Sequence, residues 1–137
     1  MRKLINSILA VFCSLFSVAV FSLTCPEPSS IQYVNKNWVA PDQWYFNQLP
    51  EGGADDEVGS FKVIEWQAII SGGSQGSIDW CQYDWKVDKG YSPVSIAWGG
   101  MPMFFKIDKI QYWTQLSPSS NAYYCTSSRD DCSVSPA

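Results

Sequence analysis

Four cysteines constrain this chain more than any other feature. Cys25, Cys81, Cys125 and Cys132 all follow an apolar leader. An even count in a small exported domain reads as two disulfides. Three pairings are open. Thr126-Ser127-Ser128-Arg129-Asp130-Asp131 is polar and can close a short loop between Cys125 and Cys132. Cys25 then pairs with Cys81, which ties the start of the domain to a central strand; this is the favoured pairing of the three. No cysteine spacing is CxxC and the chain has no histidine, so neither a zinc site nor a thioredoxin-like redox centre is expected.

The leader itself reads as a targeting signal. Arg2 and Lys3 open it, and an apolar run from Leu4 to Phe21 follows, broken only by Asn6, Ser7, Ser14 and Ser17. Small residues at Ser22 and Thr24 and then Pro26 complete the pattern of a cleaved secretory signal peptide. Val20 and Ser22 suit the −3 and −1 positions, which places cleavage after Ser22, with Thr24 as the alternative. A membrane anchor, needing ~20 apolar residues, is the rival reading. Lipid attachment at Cys25 fits poorly, because Ser22 and Thr24 occupy positions where such signals carry Leu and Gly, Ala or Ser. The expected organisation is a signal peptide over 1–22 and one β-rich domain over 23–137. Cys13 leaves with the leader.

The remaining chain keeps seven of nine basic residues and all thirteen acidic ones, a net charge of −6. Lys86 with Lys89 and Lys106 with Lys109 are the nearest approach to a basic cluster. Nucleic acid is therefore not an expected partner, since phosphate binding needs clustered cations. Stable attachment to an anionic membrane surface is not expected for the same reason.

Short apolar runs separated by Gly, Pro and Ser predict strands. The segments are Ile31 to Trp38, Trp44 to Phe46, Phe61 to Ile70, Ile78 to Val87, Val94 to Trp98, Met103 to Trp113 and Ala122 to Cys125. Ile64, Trp66, Ala68 and Ile70 share one face of the third. Cys81, Tyr83, Trp85 and Val87 share one face of the fourth, the best alternation in the chain. Met103 to Trp113 also fits helical spacing, but its β-branched and aromatic content favours a strand. The tail beyond Cys132 reads as loose. About seven strands over some 115 residues predict an all-β domain, a small disulfide-bonded antiparallel β-sandwich or open barrel.

Seven tryptophans follow the leader. Trp66 and Trp85 lie on alternating apolar faces and read as core, while Trp80 has the opposite parity to Cys81 and fits a second buried face. Trp38, Trp44, Tyr45 and Trp98 flank turns. With Met101 they are the candidate binding residues, because aromatic rings stack on sugars and dominate protein interfaces. Met101 belongs to Trp98-Gly99-Gly100-Met101-Pro102-Met103, where glycines permit close approach and methionines adapt to a partner; the favoured alternative is a hairpin turn whose apolar residues fold back on the core. The acidic groups Asp55-Asp56-Glu57 and Asp130-Asp131 lack calcium-loop spacing and read as solvated loops. Without histidine a Ser-His-Asp triad is impossible, and no SxxK or GxSxG is present. A glycosidase-type carboxylate pair could come from Glu65, Asp79, Asp84 or Asp108, but sequence places no two of them together. No catalytic residue, cofactor or metal is expected.

Cys25-Pro26 directly after the leader, a Trp-bearing segment, Trp80-Cys81-Gln82-Tyr83 and Tyr123-Tyr124-Cys125 followed by Cys132 form a further pattern. It resembles a group of small, largely uncharacterised exported proteins of Gram-negative bacteria that begin with Cys-Pro and end with a cysteine pair. Some occur in intracellular pathogens and are associated with type IV secretion. The resemblance covers most of residues 25–132 and implies a periplasmic or secreted, disulfide-bonded β domain; it carries over no catalytic residue. The expected function is non-enzymatic binding of a protein partner, in an envelope machine or at a host. The alternatives are a glycan-binding, lectin-like module using Trp38, Trp44, Tyr45 or Trp98, and a small hydrolase working through paired carboxylates.

Overall fold

The computed structural model describes residues 21–137. All of the predicted leader except Phe21 and Ser22, and Cys13 with it, lies outside the described residues. Ten antiparallel strands form: β1 Gln32–Val34, β2 Asn37–Val39, β3 Trp44–Phe46, β4 Val58–Ala68, β5 Gly76–Trp85, β6 Val94–Trp98, β7 Phe105–Ile107, β8 Trp113–Gln115, β9 Ala122–Cys125 and β10 Val134–Pro136. Eight of them make one open sheet, and β1 with β2 forms a separate hairpin. The domain is all-β and disulfide-bonded, with an open sheet and no closed barrel.

The long hairpin β4–β5 is the spine. On its inner face Ile64, Trp66 and Ala68 of β4 and Cys81 and Tyr83 of β5 are buried at the alternation the sequence predicts, and Ile78 joins them out of that period. Ile70 and Val87, read on the same faces, fall beyond the ends of the strands and are exposed. Gly76 starts β5 because nothing larger fits: a Cβ there would lie 2.2 Å from the Gln67 carbonyl oxygen and 2.6 Å from the Trp66 ring. β9 and then β8 extend the sheet beyond β4, and β6 and β7 pair with β5 on its other edge.

Irregular chain covers the inner face, where a second sheet might have stood. The Cys25–Cys81 disulfide holds the N-terminal segment on β5, and the Tyr83 hydroxyl donates to the Pro26 carbonyl at 2.7 Å. Cys125–Cys132 closes the last loop, from which Arg129 donates to the Cys25 carbonyl at 2.8 Å. The favoured cysteine pairing is the one formed. A layer without its own hydrogen-bonded ladder has little cooperative stability, so covalent staples at its two attachment points do what a second sheet would do.

Three segments differ from expectation. Ile31 to Trp38 is not one strand: Asn35 (φ 51°) and Lys36 (φ 66°) turn it into the β1–β2 hairpin. Two successive left-handed residues are the geometry of a tight hairpin turn. Met103 to Trp113 splits into β7, a single 3₁₀ turn over Ile110–Tyr112 and the start of β8. The tail is not loose. β10 pairs with β7, Val134 is fully buried, and Leu23 and Val134 exchange backbone hydrogen bonds of 2.7 and 2.9 Å. Asp108 accepts hydroxyl hydrogen bonds from Ser133 (2.8 Å) and Ser135 (2.5 Å), fixing this edge further.

Candidate functional site

The turn-flanking aromatics divide into two groups. Trp38 belongs to the first, an aromatic chain from Tyr33 through Trp38 and Trp85 to Tyr91 with edge-to-face contacts of 5.4–5.6 Å between ring centres. Its indole N–H donates to the Gly52 carbonyl at 2.7 Å, and that of Trp85 to the Ser92 carbonyl at 2.9 Å. Gly52 is needed here, because a Cβ would come within 2.7 Å of the Trp85 ring. These rings dock the β1–β2 hairpin and the 51–59 loop on the end of β5. In that loop, Asp56 pairs with Lys89 and Glu57 with Lys86. Trp38 is thus a packing residue with a donor already used.

Trp44, Tyr45, Trp98 and Met101 do come together. β3 and β6 pair so that Trp44 faces Trp98 and Tyr45 faces Ala97. The Trp44 and Trp98 rings meet edge to face at 5.3 Å on the inner side, and Trp98 continues to the buried Phe105. The Trp98 indole N–H donates to the Pro102 carbonyl at 2.9 Å, which ties down the 99–104 loop. Above this base, Tyr45 is 54% exposed, and Met101, Met103 and Phe104 are 76%, 58% and 48% exposed. Gly99 seats the start of the loop against the Tyr45 ring. An exposed apolar surface on a braced loop results, with Tyr45 at its edge.

The other surface of note is the outer face of the sheet, which sequence reasoning did not assemble. Glu65 faces Trp80 on one side and Tyr124 on the other, while Trp66 faces Ile78. Asp79 is therefore an extra residue, a β-bulge, and it breaks the two-residue alternation of β5. Ile78 and Cys81 both point inward, and Asp79 and Trp80 both fall on the outer side. An apolar Ile78 three residues from Cys81, out of step with a two-residue period, is the mark this bulge leaves in the sequence. Glu65 is a buried acid, 7% exposed. Burial holds its carboxyl above the usual 4.5, and the neighbouring Asp79 carboxylate acts in the same direction. The Tyr124 hydroxyl beside it opposes the shift.

Of the four carboxylates considered for hydrolysis, Glu65 and Asp79 meet, Asp84 pairs with Lys62, and Asp108 binds serines. The Asp79 carboxylate lies close enough to Glu65 to raise its proton affinity.

No family model matches this chain, and neither a curated protein nor a solved structure is significantly similar to it. Two buried disulfides are consistent with an extracytoplasmic protein. No helix among the described residues is long and apolar enough to cross a membrane.

Proposed function

We propose that this is an exported, periplasmic or secreted, non-enzymatic domain that binds a protein partner through Tyr45 and the 99–104 loop. The observation that carries the reading is the exposure of Met101, Met103 and Phe104 on a loop anchored by the Trp98–Pro102 hydrogen bond. Large apolar side chains grouped on a rigid base mark interaction surfaces. Methionine adapts to a partner's shape, and a fixed loop loses little entropy on docking. The leader pattern and the resemblance to small exported Cys-Pro proteins support the location, and an association with secretion or a host stays part of the proposal.

The test is affinity capture after mild crosslinking from the source cells. It compares the parent protein, a Met101→Ser/Met103→Ser/Phe104→Ser variant and a control, Val87→Ser, at an exposed apolar residue outside the loop. The reading expects a protein partner retained by the parent and the control and lost with the loop variant. Equal recovery by all three counts against it.

A further inference from the structure

The outer face of the sheet has its own architecture, which meets the 99–104 loop surface only at Tyr45. One row of residues crosses five strands. Tyr45 on β3 faces Ala97 on β6, Trp80 on β5 follows one step from the Cys81–Ile96 pair, Glu65 on β4 faces Trp80, and Tyr124 on β9 faces Glu65. The rings of Trp80 and Tyr124 lie 5.9 Å apart and tilted by 46°, above the buried Glu65. Tyr45 stands two strands from Trp80, about 10 Å at the usual strand spacing. Between them the small Ala97 leaves the row low.

A groove of about 330 Å³ runs beside Trp80, walled by Asn47, Leu49, Gln82 and Ser95. Gln82 and Ser95 are a cross-strand pair on the same face as the aromatic row. Asn47 is fixed at one wall, its side-chain amide donating to Ser95 Oγ at 3.1 Å. The side chain of Gln82 has no protein hydrogen bond among the described residues. Its amide offers both donors and an acceptor, the complement of adjacent hydroxyls on a ring. None of the described residues lining the groove is Lys or Arg, and Glu51 stands at its edge. An anionic ligand is therefore disfavoured.

We infer that this groove binds a neutral or amino-substituted saccharide, with a sugar ring stacked on Trp80 and its hydroxyls bonded to Gln82 and Asn47. The binding would centre on Trp80, two strands from the Tyr45 edge that the row shares with the loop surface. Three properties together select this class. An aromatic face gives stacking area, amides give hydroxyl recognition, and the row from Tyr45 to Tyr124 gives room for more than one ring. Ordinary alternation from the inward Cys81 turns Trp80 to the outer face, the bulge at Asp79 returns Ile78 to the inner one, and Glu65, between Trp80 and Tyr124 in the register, lies beneath that pair.

The experiment is a glycan array of neutral and amino sugars probed with the oxidised protein, followed by nitrogen-15 NMR titration with the retained sugar. The expected result is retention of one glycan class, with shifts at the Trp80 indole and the Gln82 and Asn47 side-chain amides. Trp80→Ala should weaken binding roughly tenfold or more, from lost stacking. Gln82→Ala removes only a surface amide, so it tests the site even if Trp80→Ala disturbs the sheet; it should weaken binding as well. The indole signals of Trp66 and Trp98 report whether the fold is kept. A blank array overturns the inference. So does glycan binding that is unchanged in Gln82→Ala, or that shifts groups away from the groove.

Discussion

Removing the disulfides one at a time should give costs set by the chain each one closes. Cys25–Cys81 spans 56 residues and Cys125–Cys132 spans 7. The chain-entropy relation then gives about 4 kcal/mol for the first and about 2 kcal/mol for the second. All four cysteines are 1% exposed or less, so the packing lost on replacing either pair by alanine is closely matched. The difference of about 2 kcal/mol therefore isolates the constraint on the unfolded chain. Against a total stability of ~5–15 kcal/mol for a domain, Cys25→Ala/Cys81→Ala removes a large share. Guanidinium unfolding of the parent and both double variants, analysed by linear extrapolation, measures this directly. The slope should also rise more for the 25–81 variant, because its unfolded chain is freer to expose surface. Equal costs, or a larger cost for the 125–132 variant, would refute the reasoning. They would mean that the last loop, through Arg129 and β10, holds the inner layer more than the N-terminal tether does.

Other consequences follow from single residues. Trp66 donates to the Phe105 carbonyl at 3.2 Å, whereas the buried Trp113 indole N–H has no partner among the described residues. Trp66→Phe should therefore cost about 1–3 kcal/mol more than Trp113→Phe in the same denaturation assay; a smaller cost at Trp66 would contradict this. Glu65 is held above its ordinary 4.5 by burial, so the folded protein binds that proton more tightly than the unfolded chain. Its contribution to stability falls as pH rises through the folded-state value. Glu65→Gln should be more stable than the parent at pH 7, with the gap closing below pH 4.5; a gap independent of pH would show that titration is not the cause. Lys36 sits at φ 66°, where a side chain costs roughly 1 kcal/mol or more. Lys36→Gly should raise the midpoint of thermal unfolding, and a lowered midpoint would count against a strained turn.

Much of the sheet was legible because local pattern and final burial coincide. Ile64, Trp66, Cys81 and Tyr83 alternate in sequence and are buried on one face in the structure. What was not legible depends on partners distant in sequence. Val134 is buried because Leu23 and β7 lie beside it, and no local period marks that. The β1–β2 turn was hidden because Asn35-Lys36 is less distinctive than the Asn-Gly of such turns. At the candidate sites, turn proximity left core and surface open, and the structure exposes Tyr45 and Met101. It could not reveal that Trp38 and Trp98 spend their indole N–H groups on backbone carbonyls. The outer row was missed because it is assembled from five strands whose pairing no local pattern reveals.

The central claim is that the 99–104 loop is where this protein meets another. Replacing Met101 by a photoreactive benzoylphenylalanine and irradiating the source cells tests it most directly, with the same replacement at the well-exposed Val87 as reference. Both positions are open to solvent, at 76% and 65%. The account predicts a discrete, higher-mass protein adduct from position 101 and none from position 87. No adduct at 101, or the same adduct from both positions, would contradict it.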